Sequence, residues 1–340
     1  MFEYYYSLLP ETGKKMYRAM VQAALRGETE ATVQPCLADS DLLSSMLNAV
    51  RKDHPELYLV KYDSLRSTVY EYEKKLILHI GYIAGEARRR QIAAQIDKQI
   101  DGVVALGKKA GLKTTFDVCC WAHDWLVKNV RYNDAAMGDS DGHPDAYSVI
   151  GVFRDKLAVC AGISSAFKLL CDRLGAKALV VSGTSTLKDI RYSGPHGWNM
   201  VCVDGVYSHV DVTWDMCESV ASQFTRYDYF CLPDECMRSD HAFDRTYPRC
   251  ATKEMSFFRK RSRWFTNEKE LASYLESELR GGAKVLYFRA DSGRLTGDAF
   301  IDKINDQVRQ AIRASANRAF SYVMIHNKEQ NCFFFKIDRK

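Results

Sequence analysis

Residues 156–175 read KLAVCAGISSAFKLLCDRLG, and residues 194–215 read GPHGWNMVCVDGVYSHVDVTWD. In the first stretch Ile163, Ala166, Phe167, Leu170 and Leu174 recur at helical spacing, and Gly175 supplies a stop. Cys160 stands where loop becomes helix. A thiol there meets unpaired N–H groups and the positive end of the helix dipole. Both favour thiolate, the nucleophilic form. Gly162 is expected to leave the helix start open to a substrate. Taken alone, a free cysteine is most often a small buried hydrophobe. The second stretch changes that balance. His196 lies among Gly194, Pro195 and Gly197 at the start of one strand, and Asp211 lies in the next. Asp204-Gly205 is a strong hairpin signal between them. Paired about that turn, His196 and Asp211 come roughly opposite, as a diagonal pair or across a bulge. A thiol at a helix start, a base and an orienting carboxylate together form the logic of nucleophilic acyl transfer.

Three regions flank or contain this constellation. Residues 1–111 open with a helix that continues past Glu11 to Gly27, and a second helix starts near an N-cap at Asp41. Three β-like runs follow at 57–63, 67–73 and 74–83, read as an antiparallel meander, and then a long polar helix over 86–111. Residues 112–255 begin with a helix over 114–130 and a polar loop over 131–148, ahead of the Cys160 helix. Strands are expected at 177–183 and through 197–215. Residues 266–340 read helix, strand, helix (297–316), strand, strand, a small α+β unit.

Composition narrows the class. In 340 residues, 46% are hydrophobic and 27% charged, as in a folded soluble chain and unlike a disordered one. The net charge of +5 is too mild to mark a nucleic-acid binder. The basic run FFRKRSRW (257–264) reads as a linker with anchoring aromatics. No signal peptide or membrane-spanning run is legible, so a cytoplasmic location is expected. Eleven scattered cysteines, an odd number, suit reduced thiols in a reducing compartment. Cys119, Cys120 and His123 lack a second pair to complete a metal site, and Cys231 and Cys236 are not spaced as zinc ligands. Cys171 shares a helix face with Cys160 and is expected to be inert. His209, two residues before Asp211, is a rival for the base. The loop DSDGHPD (139–145) lacks the Glu that closes a calcium loop. No metal or cofactor is expected. Oxyanion donors are required. The Cys160 backbone N–H is one candidate, with Tyr147 and Trp121 as further candidates that also suit packing.

The blocks AYSVIGVFRDKLAVCAGISSAFKLLCDRLG, HGWNMVCVDGVYSHVDVTWD and RYDYFCLPDECMRSDH resemble, in order and spacing, the transglutaminase-like core. The likeness is to its bacterial, kyphoscoliosis-peptidase-like branch and covers about residues 115–245. It implies a papain-like α+β fold with the nucleophile on a helix N-terminus packed on an antiparallel sheet. It implies a triad that falls on Cys160, His196 and Asp211, and it matches family tryptophans to Trp198 and Trp214. Trp198 thereby joins the substrate-side candidates. Relatives of the branch often read CQGY or CEGY where this chain has CAGI. The first region resembles the helical extension on such bacterial proteins. The resemblance implies an amide-bond enzyme working through a thioester on a protein or peptide. A peptidase or amidase is favoured over a transglutaminase or a silent binding module. Neither nucleic acid nor membrane is an expected partner.

Overall fold

The chain is seen in a computed structural model, which describes residues 1–185, 194–291, 297–315 and 319–339. At its N-terminus Pro10 separates helix α1 (Tyr4–Leu8) from α2 (Glu11–Arg26), where the sequence suggests one opening helix. Strand β1 (Glu30–Val33) and helix α3 (Ser40–Asp53) follow. The α3 cap is Asp39, whose Oδ1 accepts the Leu42 N–H at 2.8 Å, two residues before the expected Asp41. Strands β2 (Arg66–Tyr70) and β3 (Lys75–His79) complete a sheet of order β1–β3–β2.

The meander is therefore differently composed from the expected one. The run 57–63 contributes only a bridge from Val60 to Tyr82, and the third strand is β1. The buried residues of that run, Leu57 and Val60, stand three apart, a turn-like period. Along β1 burial alternates strictly, with Ala31 and Val33 inside.

The long helix α4 (Glu86–Lys109) leads to α5 (Thr115–Asn129). A capping box starts α5, with Thr114 and Asp117 satisfying each other's backbone N–H groups. Short parallel strands β4 (Arg131–Tyr132) and β5 (Leu157–Ala158) bracket the polar loop and deliver the chain to α6 (Cys160–Arg173). Strands β6 (Lys177–Ser185), β7 (Gly194–Val203) and β8 (Val206–Val210) come next. Helix α7 (Val212–Ser222), β9 (Phe230–Leu232), α8 (Asp234–Met237) and β10 (His241–Ala242) close the central unit. Its antiparallel sheet has the order β10–β6–β7–β8–β9. On one face Ile163, Phe167 and Leu170 of α6 share a core with Val201, Val203 and Val210. On the other, Trp198 and Met200 pack with Trp214 and Tyr229. Asp204 and Gly205 both have positive φ, as the two-residue turn requires.

One strand expectation fails after Asp211, since residues 212–215 open α7 instead of prolonging β8. Asp211 causes the switch. Its Oδ1 accepts the Trp214 N–H at 3.1 Å and its carbonyl accepts the Asp215 N–H at 3.1 Å, the pattern of a helix N-cap.

The C-terminal unit holds α9 (Phe257–Lys260), β11 (Trp264–Phe265), α10 (Glu268–Arg280), β12 (Val285–Ala290), α11 (Gly297–Ser315), β13 (Phe320–Asn327) and β14 (Cys332–Arg339). Its sheet runs β11–β12–β14–β13, with α10 and α11 packed against it. These elements follow the sequence pattern, except that α9 lies within, and β11 starts inside, the run expected to be a linker; the last residue of the expected helix 297–316 lies outside the described residues. Phe258 and Trp264 of the basic run are buried anchors.

Buried polar side chains join the units. Arg226 grips Asp228 through two hydrogen bonds of 3.0 and 2.7 Å, and Tyr287 of β12 donates to the same carboxylate at 2.5 Å. Lys168 of α6 reaches the Phe2 carbonyl near the start of the chain. All eleven cysteines are free thiols. Among the described residues no helix is long and apolar enough to cross a membrane.

Candidate active site

Helix α6 begins at Cys160, so the thiol sits in the first turn, as its loop-to-helix setting predicts. The side chain is part-exposed, and its thiol feels the His196 imidazole and the backbone N–H of Gly197. His196 lies near the start of β7, with a side chain only 7% exposed. Its Nε2 meets Asp211 Oδ2 at 2.6 Å, which leaves Nδ1 as the ring nitrogen for Cys160. The β7–β8 register, with Asn199 opposite Val210, would put Trp198 opposite Asp211 if the ladder ran one step further. His196 is two residues along from Trp198, so the contact is the diagonal that the turn count allows.

Electrostatics favour charge separation along this line. Burial pushes the Cys160 thiol up, but the hydrogen bond and charge of His196, helped by the Gly197 N–H, outweigh it and hold the thiol below its ordinary value. Burial pushes His196 down, but the charge and hydrogen bond of Asp211, then those of Cys160, raise it to about 10. Burial also works against ionised Asp211, yet His196 and a second imidazole, His241, keep it well below the usual carboxylate range. The favoured state is thiolate, imidazolium and carboxylate in a row.

His241 is the residue that sequence reasoning missed. Its Nε2 meets Asp211 Oδ2 at 3.1 Å, and its Nδ1 meets Asp240 Oδ1 at 2.6 Å. Its one signal in the sequence is its place at the end of the third family-like block. His209, the rival base, is committed elsewhere. Its Nδ1 accepts the Trp198 indole N–H at 3.0 Å, so its own proton sits on Nε2, 2.9 Å from Asp234 Oδ1. That tautomer also keeps Nε2 from binding a metal, although His209, Asp234 and Cys250 lie close together.

The remaining candidates take other places. Trp198 is buried and stacks on His196 with ring centroids 5.8 Å apart, so it walls the imidazole while its N–H is spent on His209. The Tyr147 hydroxyl donates to the Ala136 carbonyl at 2.7 Å and accepts the Gly138 N–H at 3.1 Å, which shapes the polar loop. Trp121 lies against Gly107 of α4. None of the three offers a free donor beside Cys160. The first-turn backbone N–H of Cys160 has no acceptor within its own helix and stays available as an oxyanion donor. Gly162 does not open the site. An added Cβ there would stand 2.6 Å from the Ala146 carbonyl and 2.8 Å from that of Ser148, so the glycine admits the loop backbone. A cavity of about 430 Å³ opens between this loop and the N-terminal unit, lined by His54, Tyr58, Asp141, Tyr147 and Ser165. It does not include Cys160, His196 or Asp211.

Gly183 of β6 is the close approach on which the second histidine depends. An added Cβ would lie 2.3 Å from the Ala242 carbonyl and 2.6 Å from Trp198 Cη2. Gly183→Ala is expected to destabilise the protein by about 1–3 kcal/mol, as overpacking does. Chemical denaturation checks this, and a shift below about 0.5 kcal/mol would show that β10 gives way freely.

Residues 105–212 match the family profile of the transglutaminase-like superfamily, so the segment holding Cys160, His196 and Asp211 is a transglutaminase-like core in an α+β fold. Among curated proteins, 109 residues are 26% identical to human kyphoscoliosis peptidase, covering 30% of this chain and 16% of that protein. Among solved structures, a TGase aligns with a TM-score of 0.31 and 15% identity, over 54% of this chain and 50% of that one. A proposed cysteine protease from Cytophaga hutchinsonii aligns with a TM-score of 0.27 and 14% identity, over 44% of this chain and 61% of that one. The chain thus spans less than two thirds of each of these relatives.

Proposed function

We propose that the protein is a cysteine-dependent amide-bond hydrolase, a peptidase or amidase. The carrying observation is Cys160 at the start of α6 beside a His196 whose Nε2 stands 2.6 Å from Asp211 Oδ2. In the proposed reaction the Cys160 thiolate attacks the amide carbon, and its oxygen takes up negative charge facing the Cys160 N–H. The C–N bond breaks as His196 delivers its proton to the leaving amine, which leaves a thioester. Water then attacks the thioester carbon and gives a proton to His196. The carboxylic acid leaves, and the sulfur returns to its thiolate. Asp211 keeps the imidazole in the tautomer that serves both steps. The peptidase named among the relatives supports water as acceptor over an amine.

The test begins with iodoacetamide, because it needs no known substrate. Peptide mapping is expected to find Cys160 alkylated first, with an acid limb in the rate below the ordinary thiol value of about 8.5. The sign follows from the lowered thiol: as pH falls the thiolate persists until its folded-state pKa is crossed. Hydrolysis of a peptide mixture should also fall again near pH 10, where His196 loses its proton. Equal labelling of the native chain and Cys160→Ala would overturn the reading. Amine incorporation in place of new carboxyl ends would make it an acyltransferase.

A further inference from the structure

The carboxylate of Asp211 is held from two sides, and the second side leads out of the central unit. Oδ2 meets both His196 Nε2 and His241 Nε2, while Oδ1 is tied to the Trp214 N–H. His241 bridges Asp211 and Asp240. Asp240 Oδ2 in turn accepts from the Tyr229 hydroxyl at 2.8 Å and from Gln330 Nε2 at 3.0 Å. Asn327 Nδ2 donates to Tyr229 Oη at 3.2 Å, and Asn327 Oδ1 accepts the Gln330 N–H at 3.1 Å. Asn327 ends β13 and Gln330 lies in the turn between β13 and β14, in the C-terminal unit. Asp240, His241, Asn327 and Gln330 are all buried.

We propose that His241, fixed by Asp240 and Gln330, is a positioning residue that aims the Asp211 carboxylate at His196 and makes the site depend on the β13–β14 turn. This rests on the Cys160–His196–Asp211 reading above. The physical argument is one of aim. A carboxylate with one oxygen spent on a helix cap retains one rotational freedom, and a second donor on Oδ2 removes it. His241 cannot drift, because its ring is wedged against Trp214 at 4.2 Å and Trp198 at 4.9 Å between centroids. Gln330 places its amide among the Cys236 carbonyl, the Ser239 hydroxyl and Asp240, so the turn cannot move without loosening Asp240. Buried networks of this kind act as a unit, and disturbing a distant member is felt at the other end.

The charged and titratable groups around His241 are Asp211, Asp240, His196, Tyr229 and His209. Around Cys160 they are His196, Asp211 and Tyr132. The expected effect passes through His196 alone: a loosened Asp211 holds the imidazolium less well, so the thiolate is less favoured.

The experiment is the pH profile of Cys160 alkylation by iodoacetamide in the full chain. In His241→Phe, which fills the space but donates nothing, the acid limb should move up by about one unit, a tenfold slower rate on the limb. In Gln330→Ala it should move the same way by less. His241→Gln, whose amide can still donate to Asp211, should restore a near-native limb. A merely structural histidine would move the melting temperature and leave the limb in place. An unmoved limb in folded His241→Phe and Gln330→Ala, with a lowered limb in the parent chain, overturns the proposal. A parent chain with an ordinary thiol profile overturns the triad reading instead. If His241→Phe does not fold, Gln330→Ala and His241→Gln decide by the same criterion.

Discussion

Asp211→Asn is expected to cut turnover by about four orders of magnitude, while the folded chain and its Cys160 remain. The loss follows from where the amide would place its atoms. Oδ1 caps α7 by accepting the Trp214 N–H, so the substituted carbonyl oxygen keeps that position. The new NH2 then stands where Oδ2 stood and presents donors to both His196 Nε2 and His241 Nε2. His196 must accept at Nε2 and carry its proton on Nδ1, toward the sulfur. In that tautomer it cannot take a proton from the thiol, and no carboxylate balances an imidazolium. Two measurements decide the matter: kcat on any peptide the parent cleaves, and Cys160 alkylation at neutral pH, both of which should collapse together. A loss under tenfold would mean that Asp211 does not set the tautomer.

The largest effect on stability is expected at Lys168, far from the chemistry. Its ammonium is fully buried and donates to Asp172 Oδ2 at 2.8 Å, to the Phe2 carbonyl at 2.8 Å and to the Ala178 carbonyl at 3.0 Å. It thereby fastens the first residues of the chain to α6 and β6. Lys168→Ala strands a buried carboxylate, and such a cut typically costs about 3–5 kcal/mol. The deficit should shrink as pH falls far enough to protonate Asp172, because the cost is that of an unpaired charge. Replacing both partners, as in Lys168→Met with Asp172→Leu, should recover most of it, since an apolar pair of similar volume has nothing left to solvate. Urea unfolding of the two variants reads the difference. A double variant as weak as the single one would assign the loss to the Phe2 and Ala178 carbonyls.

Much of the site was legible in local chemistry. The helix start at Cys160 and the two-residue turn at Asp204-Gly205 are short-range features, and the turn sets the register of β7 against β8. Where the sequence misleads, nearby residues carry two roles. Asp211 reads as a strand residue because its neighbours alternate, yet the same carboxylate caps the helix that follows. Residues 57–63 look like a strand in composition, but their buried pair is three apart, while the four residues of β1 are too few to register. Trp198 lies beside the site, as the family likeness implies, but in a different role. Its ring stacks on His196 and its N–H belongs to His209, so it supports the base and has no donor left for a substrate.

The local pattern was enough for a thiol at a helix start, a histidine and an aspartate brought roughly opposite each other by a two-residue turn, and the α+β class, because those depend on periodicity and turn chemistry within a few residues. Only the tertiary structure decided that Asp211 serves two imidazoles and that the line continues through Asp240 to Gln330, ninety residues on. Such contacts depend on how β10 crosses Gly183 and how the β13–β14 turn seats against Tyr229. No local pattern encodes them, because each partner alone is an ordinary polar residue and only packing brings them into one buried line.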